Sequence, residues 1–577
     1  MAVQDGLWSN PSTWLDGKVP TQDATVLIPA NVEVSIDAIV PARLKWVRID
    51  GTLSLAPEED TRLQVVSIVV APGGHLQVGT EAHRVSASHS AEVIFADRGE
   101  RDTVYDPFDL SGRLICHGEL TVYGAEKSGY EISQDPVTSG TQEIRLKSRA
   151  IGWQIGDRLV IPGTRLDTVE DEERTIAAIA TDGSRIVLDK PLTYDHTTPA
   201  GIPMPVGNLS RNVIFRSETT DVLGRRGHMM VMHAQTGTHI EGAALYGLGR
   251  TDAKTAHTMP ILDADGKLVE GSDGNTIGRY ALHFHMRSGA SRATPPHIVK
   301  GSVIVDSPKL GLVNHGGNVV AEDNVTYRIA GSHFFTENGS EIGAFRRNLA
   351  IRSNGSTDLV QGRIGNFDHG YRGHGFWMGV ASYSGIEIWY HQVFTKHDAI
   401  SHVSDSKFWR LRDRGVFIGY SRNIDIRNVT AIAGSDEPHG YGFVRNVLTA
   451  NIVYDGLHVE GFAVGVDMSR NVIRCSNGRR VVSQTWLSRE HRSGFAVFHF
   501  CDFRSVSSTL IPSFTGMPPT GTKSSAARNA AAVGSVTWDG RLRWWTRWPL
   551  SHPMPSAWRS TAQIWPTGRV VGPSSRA

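Results

Sequence analysis

The amino-acid sequence predicts an all-β protein: an N-terminal β module, then a right-handed parallel β-helix, then a tail that is irregular or disordered. Three observations carry this reading. Gly is abundant, at 60 of 577 residues, and short β-branched runs recur throughout. Long heptads and long amphipathic helical patterns are absent. From Asn208 onward, segments of roughly 20–30 residues repeat one theme of Gly, short apolar strand, Asn or Gly corner and second apolar strand, which is the signature of a solenoid.

The elements follow in order. Residues 5–130 form the first module, with short strands in ATVLIP (24–29), VEVSID (32–37), LQVVSIVV (63–70) and GRLICHGELTVYG (112–124). Val32, Val34 and Ile36 alternate as in a half-buried strand. Residues 145–205 form a small barrel-like β unit with no evident chemistry. Residues 208–470 form the β-helix, with coils in 311–331, 375–392, 415–434 and 442–461. Strands this short, with no helices between them, favour a parallel β-helix over helical or leucine-rich stacks. Asn318, Asn324, Asn423 and Asn428 suit left-handed corners and side-chain ladders.

The tail, 471–577, breaks the pattern. It is rich in Ser, Arg, Pro and Trp, and reads as disordered or as a frame-shifted stretch. It holds 14 of the 59 basic residues but 3 of the 58 acidic ones, leaving 45 basic and 55 acidic residues before it. An acidic body argues against nucleic-acid binding, which calls for a basic stripe. Three cysteines, Cys116, Cys475 and Cys501, make no disulfide framework. No run of 18 or more apolar residues marks a transmembrane helix, and MAVQDGLWSNPSTW lacks the basic and apolar regions of a signal peptide.

The main chemical signal is GRYALHFHM (278–286). Strand alternation puts Tyr280, Leu282, Phe284 and Met286 on the inner face, with Arg279, Ala281, His283, His285 and Arg287 on the outer. Two imidazoles on one face can share a metal, relay a proton or grip an anion. Flanking guanidinium groups suit carboxylates. His315 lies about one coil further on, and His333 and Glu337 about one more. Asp306 ends the strand of HIVKGSVIVD. The candidate catalytic residues are therefore Arg279, His283, His285, Asp306, His315, His333 and Glu337. For any one of these histidines alone, a packing role is the competing reading. NFDHGYRGHGF (366–376) reads as a glycine-rich loop in which Asp368, His369 and His374 are weak metal candidates. KHDAISH (396–402) reads as a solvated edge.

Two stretches carry a family resemblance. The opening LWSNPSTWLDGKVPTQDATVLIPANVEVSID, with Trp8, Trp14, Gly17, Pro20 and the strand ending Ile36-Asp37, resembles the eight-glycine (G-eight) domain of the cell-migration-inducing hyaluronan-binding proteins, their transmembrane relative and fibrocystin. The Gly-Arg-Tyr-x-x-His-Phe-His element resembles that of the hyaluronan-depolymerising branch, although Ala281 stands where that family usually has Pro. GNLSRNVIFRSE (207–218), RGHMMVMH (226–233) and GSHFFTENGSE (331–341) agree in order and approximate spacing, so the resemblance covers residues 5–460.

It implies an extracellular or cell-surface protein whose partner is an acidic polysaccharide such as hyaluronan, and which depolymerises it. Hydrolysis would need two carboxyls, with Glu337 joined by Asp306, Asp323 or Glu341. Elimination at a uronate would need a base and a group that neutralises the carboxylate, roles open to His and Arg. No cofactor is certain. A divalent ion stays open, calcium among them, although calcium prefers oxygen ligands to imidazoles. The alternatives are a glycan-binding or adhesion protein without turnover, and a structural surface solenoid.

Overall fold

The computed structural model describes residues 1–504 apart from 166–168, 233–236, 286–294, 338–340, 354–376, 381–383, 390–399, 412–413, 420, 435–438, 446–449, 468–472 and 477–495. Nearly all regular structure in it is β, with three short 3-10 turns. No described helix is long and apolar enough to cross a membrane.

Up to Ser353, successive coils feed three parallel ladders. One contains nine strands, from Gly6–Leu7 to Ile342–Arg346. A second runs through Ala91–Phe95, Val213–Ser217, Ala243–Tyr246, Val303–Val305, Val325–Ile329 and Asn348–Ser353. A third runs through Arg113–Cys116, His228–Met232, Leu282–His285, Leu312–His315 and Phe334–Thr336. The chain is thus a parallel β-helix, with neighbouring coils ~4.8 Å apart along the ladders.

The module read as 5–130 shares these ladders. Glu119–Tyr123 pairs with His75–Val78 on one side and His239–Glu241 on the other, all parallel. Thr61–Val70 pairs by its first half with Ala91–Phe95 and by its second with Arg113–Cys116. The alternation read at Val34 and Ile36 holds, since both are buried while Glu33 is exposed. One hydrophobic core runs from Ala2 to Phe462 through the coil interiors. At its N-terminal end Trp8 and Trp14 pack edge to face, with centroids 4.8 Å apart, and the Trp14 indole N–H donates to the Trp8 carbonyl over 2.8 Å.

Between Tyr130 and Asn208 the chain leaves the ladders and forms a six-stranded antiparallel sheet with its own apolar core around Leu159, Ile161, Ile176, Ile186 and Val206. At the other end, parallel pairing continues past Arg470: Ala496–Arg504 pairs with Ala450–Glu460. Residues 505–577 lie outside the described residues, as do 366–376 of the second His-rich segment. His402 is exposed and lies 3.4 Å from Asp425.

Corners are held by polar ladders and by close backbone approach. Asn324 donates to Val299 O and to Asn348 Oδ1, while Asn348 donates to Ala321 O. Ser302 N in turn donates to Asn324 Oδ1. These asparagines are buried, so each bond replaces one lost to water. Asn423 and Asn428 adopt positive φ of 59° and 50°. A Cβ at Gly118 would fall 2.2 Å from Gly74 O, which is why a residue without a side chain stands there.

Candidate functional site

The site grows out of the third ladder. Parallel, in-register pairing aligns His283 with Val313 and then Phe335, and His285 with His315. Asn314 pairs with Thr336, so the position after Thr336 extends the His285–His315 row to Glu337, whose N–H donates to Asn314 O. A parallel solenoid converts equal coil lengths into a row of side chains, and that is how residues 285, 315 and 337 come together.

Beneath the row, Leu282, Phe284, Leu312 and Phe334 fill the coil interior. On the outer side, Tyr280, Leu310, Val313 and Phe335 make a second, smaller apolar cluster. The alternation read from sequence therefore holds from Leu282 to His285, where the strand runs. It does not hold before the strand begins: Ala281 packs in the main core and Tyr280 against the outer cluster. Met286 and Arg287 lie outside the described residues.

His283 is buried and is the floor of the site. Its Nδ1 lies 3.0 Å from Gly278 O. A carbonyl only accepts, so Nδ1 carries the proton and Nε2 turns towards Glu337 Oε2, 3.4 Å away. His315 Nδ1 lies 3.0 Å from the same oxygen. The His283 and His315 rings are stacked at 5.9 Å, and His285 stands edge-on to them at 4.9 and 5.2 Å. His283 Nε2, His315 Nδ1 and Glu337 Oε2 are buried atoms that meet at ion-pair distances, and His285 Nδ1 is buried beside them. His285, His315 and Glu337 keep part of their surface exposed, so the cluster opens outward.

The electrostatics follow from this crowding. Burial, then the neighbouring His283 and His315, push the His285 imidazole down to about 3. Burial opposes charge on His315, but Glu337 outweighs it and raises that imidazole. Burial would also raise the Glu337 carboxyl, and His283 and His315 instead hold it far below the usual carboxylate range.

The other sequence candidates lie elsewhere. Arg279 precedes the strand and turns away to the 100–112 segment, where it donates to Asp109 O, Phe108 O and Ile277 O. Asp109 also binds Arg98 and Arg250, so Arg279 belongs to a buried Arg–Asp knot that pins two long excursions together beside the site. Asp306 sits at a corner with φ 63°, paired with Arg328 over 2.6 Å. His333 points to Thr326 Oγ1 at 2.7 Å and is held neutral by burial, down to about 3. Asp323 pairs with Arg347. Glu341 Oε1 accepts from the N–H groups of Glu337 and Gly316.

Two residues at the site were not singled out from sequence. His257 is shifted down to about 4, by burial first and then by Lys309, with Glu337 opposing, so the three lie within electrostatic reach. Lys309 is fully buried. Both stand in segments without strand periodicity, and neither has a sequence signal beyond its residue type.

Comparison with known proteins agrees with this architecture. Residues 13–131 match the model of the G8 domain. Residues 270–373 match the CEMIP beta-helix model. The resemblance to the cell-migration-inducing hyaluronan-binding family is therefore supported in two separate stretches of the chain. Fibrocystin-L of Mus musculus is 26% identical, covering 61% of this chain and 9% of the relative, and Fibrocystin-L of Homo sapiens is 25% identical with the same coverage. A G8 domain-containing protein of Dictyostelium discoideum is 23% identical over 58% of this chain and 22% of its own. The chain thus spans about a tenth of the Fibrocystin-L length.

Among solved structures, the Gp54 tailspike of Acinetobacter baumannii bacteriophage AP22, in complex with A. baumannii capsular saccharide, matches at TM-score 0.17 and 10% identity, over 80% of this chain and 65% of that one. A structure titled glycoside hydrolase matches at TM-score 0.22 and 8% identity, over 83% and 90%. At these scores no argument rests on either.

Proposed function

We propose that this chain is an extracellular or cell-surface protein that binds and depolymerises an acidic polysaccharide, hyaluronan or a related polymer, at the His283–His285–His315–Glu337 cluster. One observation carries the reading: the in-register row His285–His315–Glu337 on the outer face, with His283 beneath it. Packing alone gives no reason to gather three imidazoles and a carboxylate at one point of a solenoid wall, since burying ionisable groups costs free energy. The G8 and CEMIP beta-helix matches support the class of substrate through the family resemblance.

The carboxyl inventory bears on the route. Hydrolysis needs two carboxyls flanking the bond. Asp306 and Asp323 are engaged by Arg328 and Arg347, and one oxygen of Glu341 is taken by backbone N–H groups. Glu337 remains as the carboxylate among the imidazoles. The arrangement supplies an imidazole as the base for elimination at a uronate and one carboxylate of the two that hydrolysis needs. Arg279, bound to backbone carbonyls and Asp109, is not the neutralising group in this arrangement.

The shortage of a second carboxylate also favours a second reading, glycan binding without turnover. Incubation with a panel of acidic polysaccharides, followed by light scattering and by absorbance of the unsaturated uronate, separates the two. Shorter chains carrying the unsaturated end are the expected product. Retention on immobilised glycan with no loss of length would favour binding alone, and neither retention nor shortening on any polymer would sink both.

A further inference from the structure

The geometry points to a transition-metal site, of the zinc class, formed by His283, His285 and His315 with Glu337 as the fourth ligand. It stands on side-chain geometry and does not depend on the polysaccharide reading.

Three facts carry it. First, each of the three histidines offers a ring nitrogen, and these lie within 4.8 Å of one another. Tetrahedral coordination at ~2.0–2.1 Å wants ligand nitrogens about 3.4 Å apart, so closure needs about an ångström of ring movement. Second, Glu337 Oε2 lies 3.4 Å from His283 Nε2 and 3.0 Å from His315 Nδ1, so one carboxylate oxygen already faces two of the three imidazoles. Gly278 O engages His283 Nδ1 and leaves Nε2 as the atom turned to the site. A cation set among these atoms would draw on the imidazoles and the carboxylate together. Third, the carbonyl partner on the far nitrogen of His283 is the usual outer support of a metal-bound imidazole, fixing tautomer and ring orientation.

The donor set selects the ion. Three imidazoles and one carboxylate suit zinc or its late first-row neighbours, and they are poor ligands for calcium, which takes six to eight oxygens. The calcium option left open from the sequence is thus not the ion this cluster fits. The partial exposure of His315 and Glu337 leaves room for a further ligand from solvent.

The test uses the full chain without a histidine tag, stripped with a chelator and titrated with Zn²⁺, and separately with Ca²⁺, by calorimetry. The expected result is a single equivalent of Zn²⁺ bound, no saturable Ca²⁺ uptake, and affinity for Zn²⁺ more than roughly 100-fold weaker in His315→Ala, exceeding the loss usual for an outer-shell change. Co²⁺ added to the unaltered protein should give the visible bands of a low-coordinate nitrogen–oxygen site, a readout that needs no variant to fold. Glu337→Gln, which keeps shape and imidazoles, should bind Zn²⁺ more weakly while its circular dichroism without metal stays that of a folded β protein. Absence of Zn²⁺ uptake by the unaltered chain, or undiminished uptake by a folded His315→Ala, would overturn the assignment. Because no polysaccharide enters these measurements, their failure and a failure of depolymerisation remain separate results.

Discussion

At the scale of single residues, the sequence separates by type but not by direction. Arg279, His283 and His285 share one parity, and parity alone puts them on one face. The fold keeps His283 and His285 there because they lie inside Leu282–His285. Arg279 lies before the strand, where alternation has no force, and its guanidinium finds carbonyls and a carboxylate 170 residues earlier in the chain. Asp306 and His333 fail to join for the same reason, one at a left-handed corner and one just ahead of its strand. This separation is testable. Arg279→Met removes three charge-assisted bonds to the 100–112 segment and Ile277, and should lower stability in urea by roughly 1–3 kcal/mol. It should also speed proteolysis within residues 100–112. If instead polysaccharide cleavage is lost with stability unchanged, Arg279 acts at the site and the assignment here is mistaken.

At the scale of the element, what decides the site is coil length. His315 and Glu337 were legible as residues about one coil apart, but the register is set by corners that alternation cannot see. The buried Ser302–Asn324–Asn348 ladder locks one such corner across successive coils. Asn348→Ala leaves Asn324 N and Nδ2 short of an acceptor and Ala321 O short of a donor, so a loss of about 2–4 kcal/mol is expected, as each orphaned buried group costs ~1–3. Equilibrium denaturation measures it, and a change under about half a kcal/mol would show that the ladder is not what holds the coils in register. His257 and Lys309 were invisible because the excursions that carry them have no period to read.

At the scale of the whole molecule, the class was legible and the seams were not. Short strands with Asn and Gly corners do make a parallel solenoid. The N-terminal module proved continuous with its ladders, because its strands pair in parallel with later coils that no local pattern reveals. The antiparallel unit between Tyr130 and Asn208, wider than the 145–205 stretch expected from sequence, carries its own acid-sensitive point. Burial would raise the Glu172 carboxyl, but His196 and the N–H groups of Tyr194 and Thr193 hold it at about 2, against an ordinary 4.5. A depressed carboxyl stabilises the fold above its unfolded value and loses that contribution as pH falls from about 4.5 to about 2. The stability of Glu172→Gln should therefore fall less steeply across that window than that of the parent. Parallel acid curves for the two proteins would contradict the assignment.

The proposed activity needs four side chains acting as one site upon a polysaccharide. The most direct measurement follows the length of an acidic polymer such as hyaluronan over time, with the parent chain and Glu337→Gln side by side. The prediction is progressive shortening by the parent and a rate at least about 100-fold lower for the variant, the size of effect seen when one group of an electrostatic site is removed. Equal shortening by both, or none by either on any acidic polymer, would contradict it.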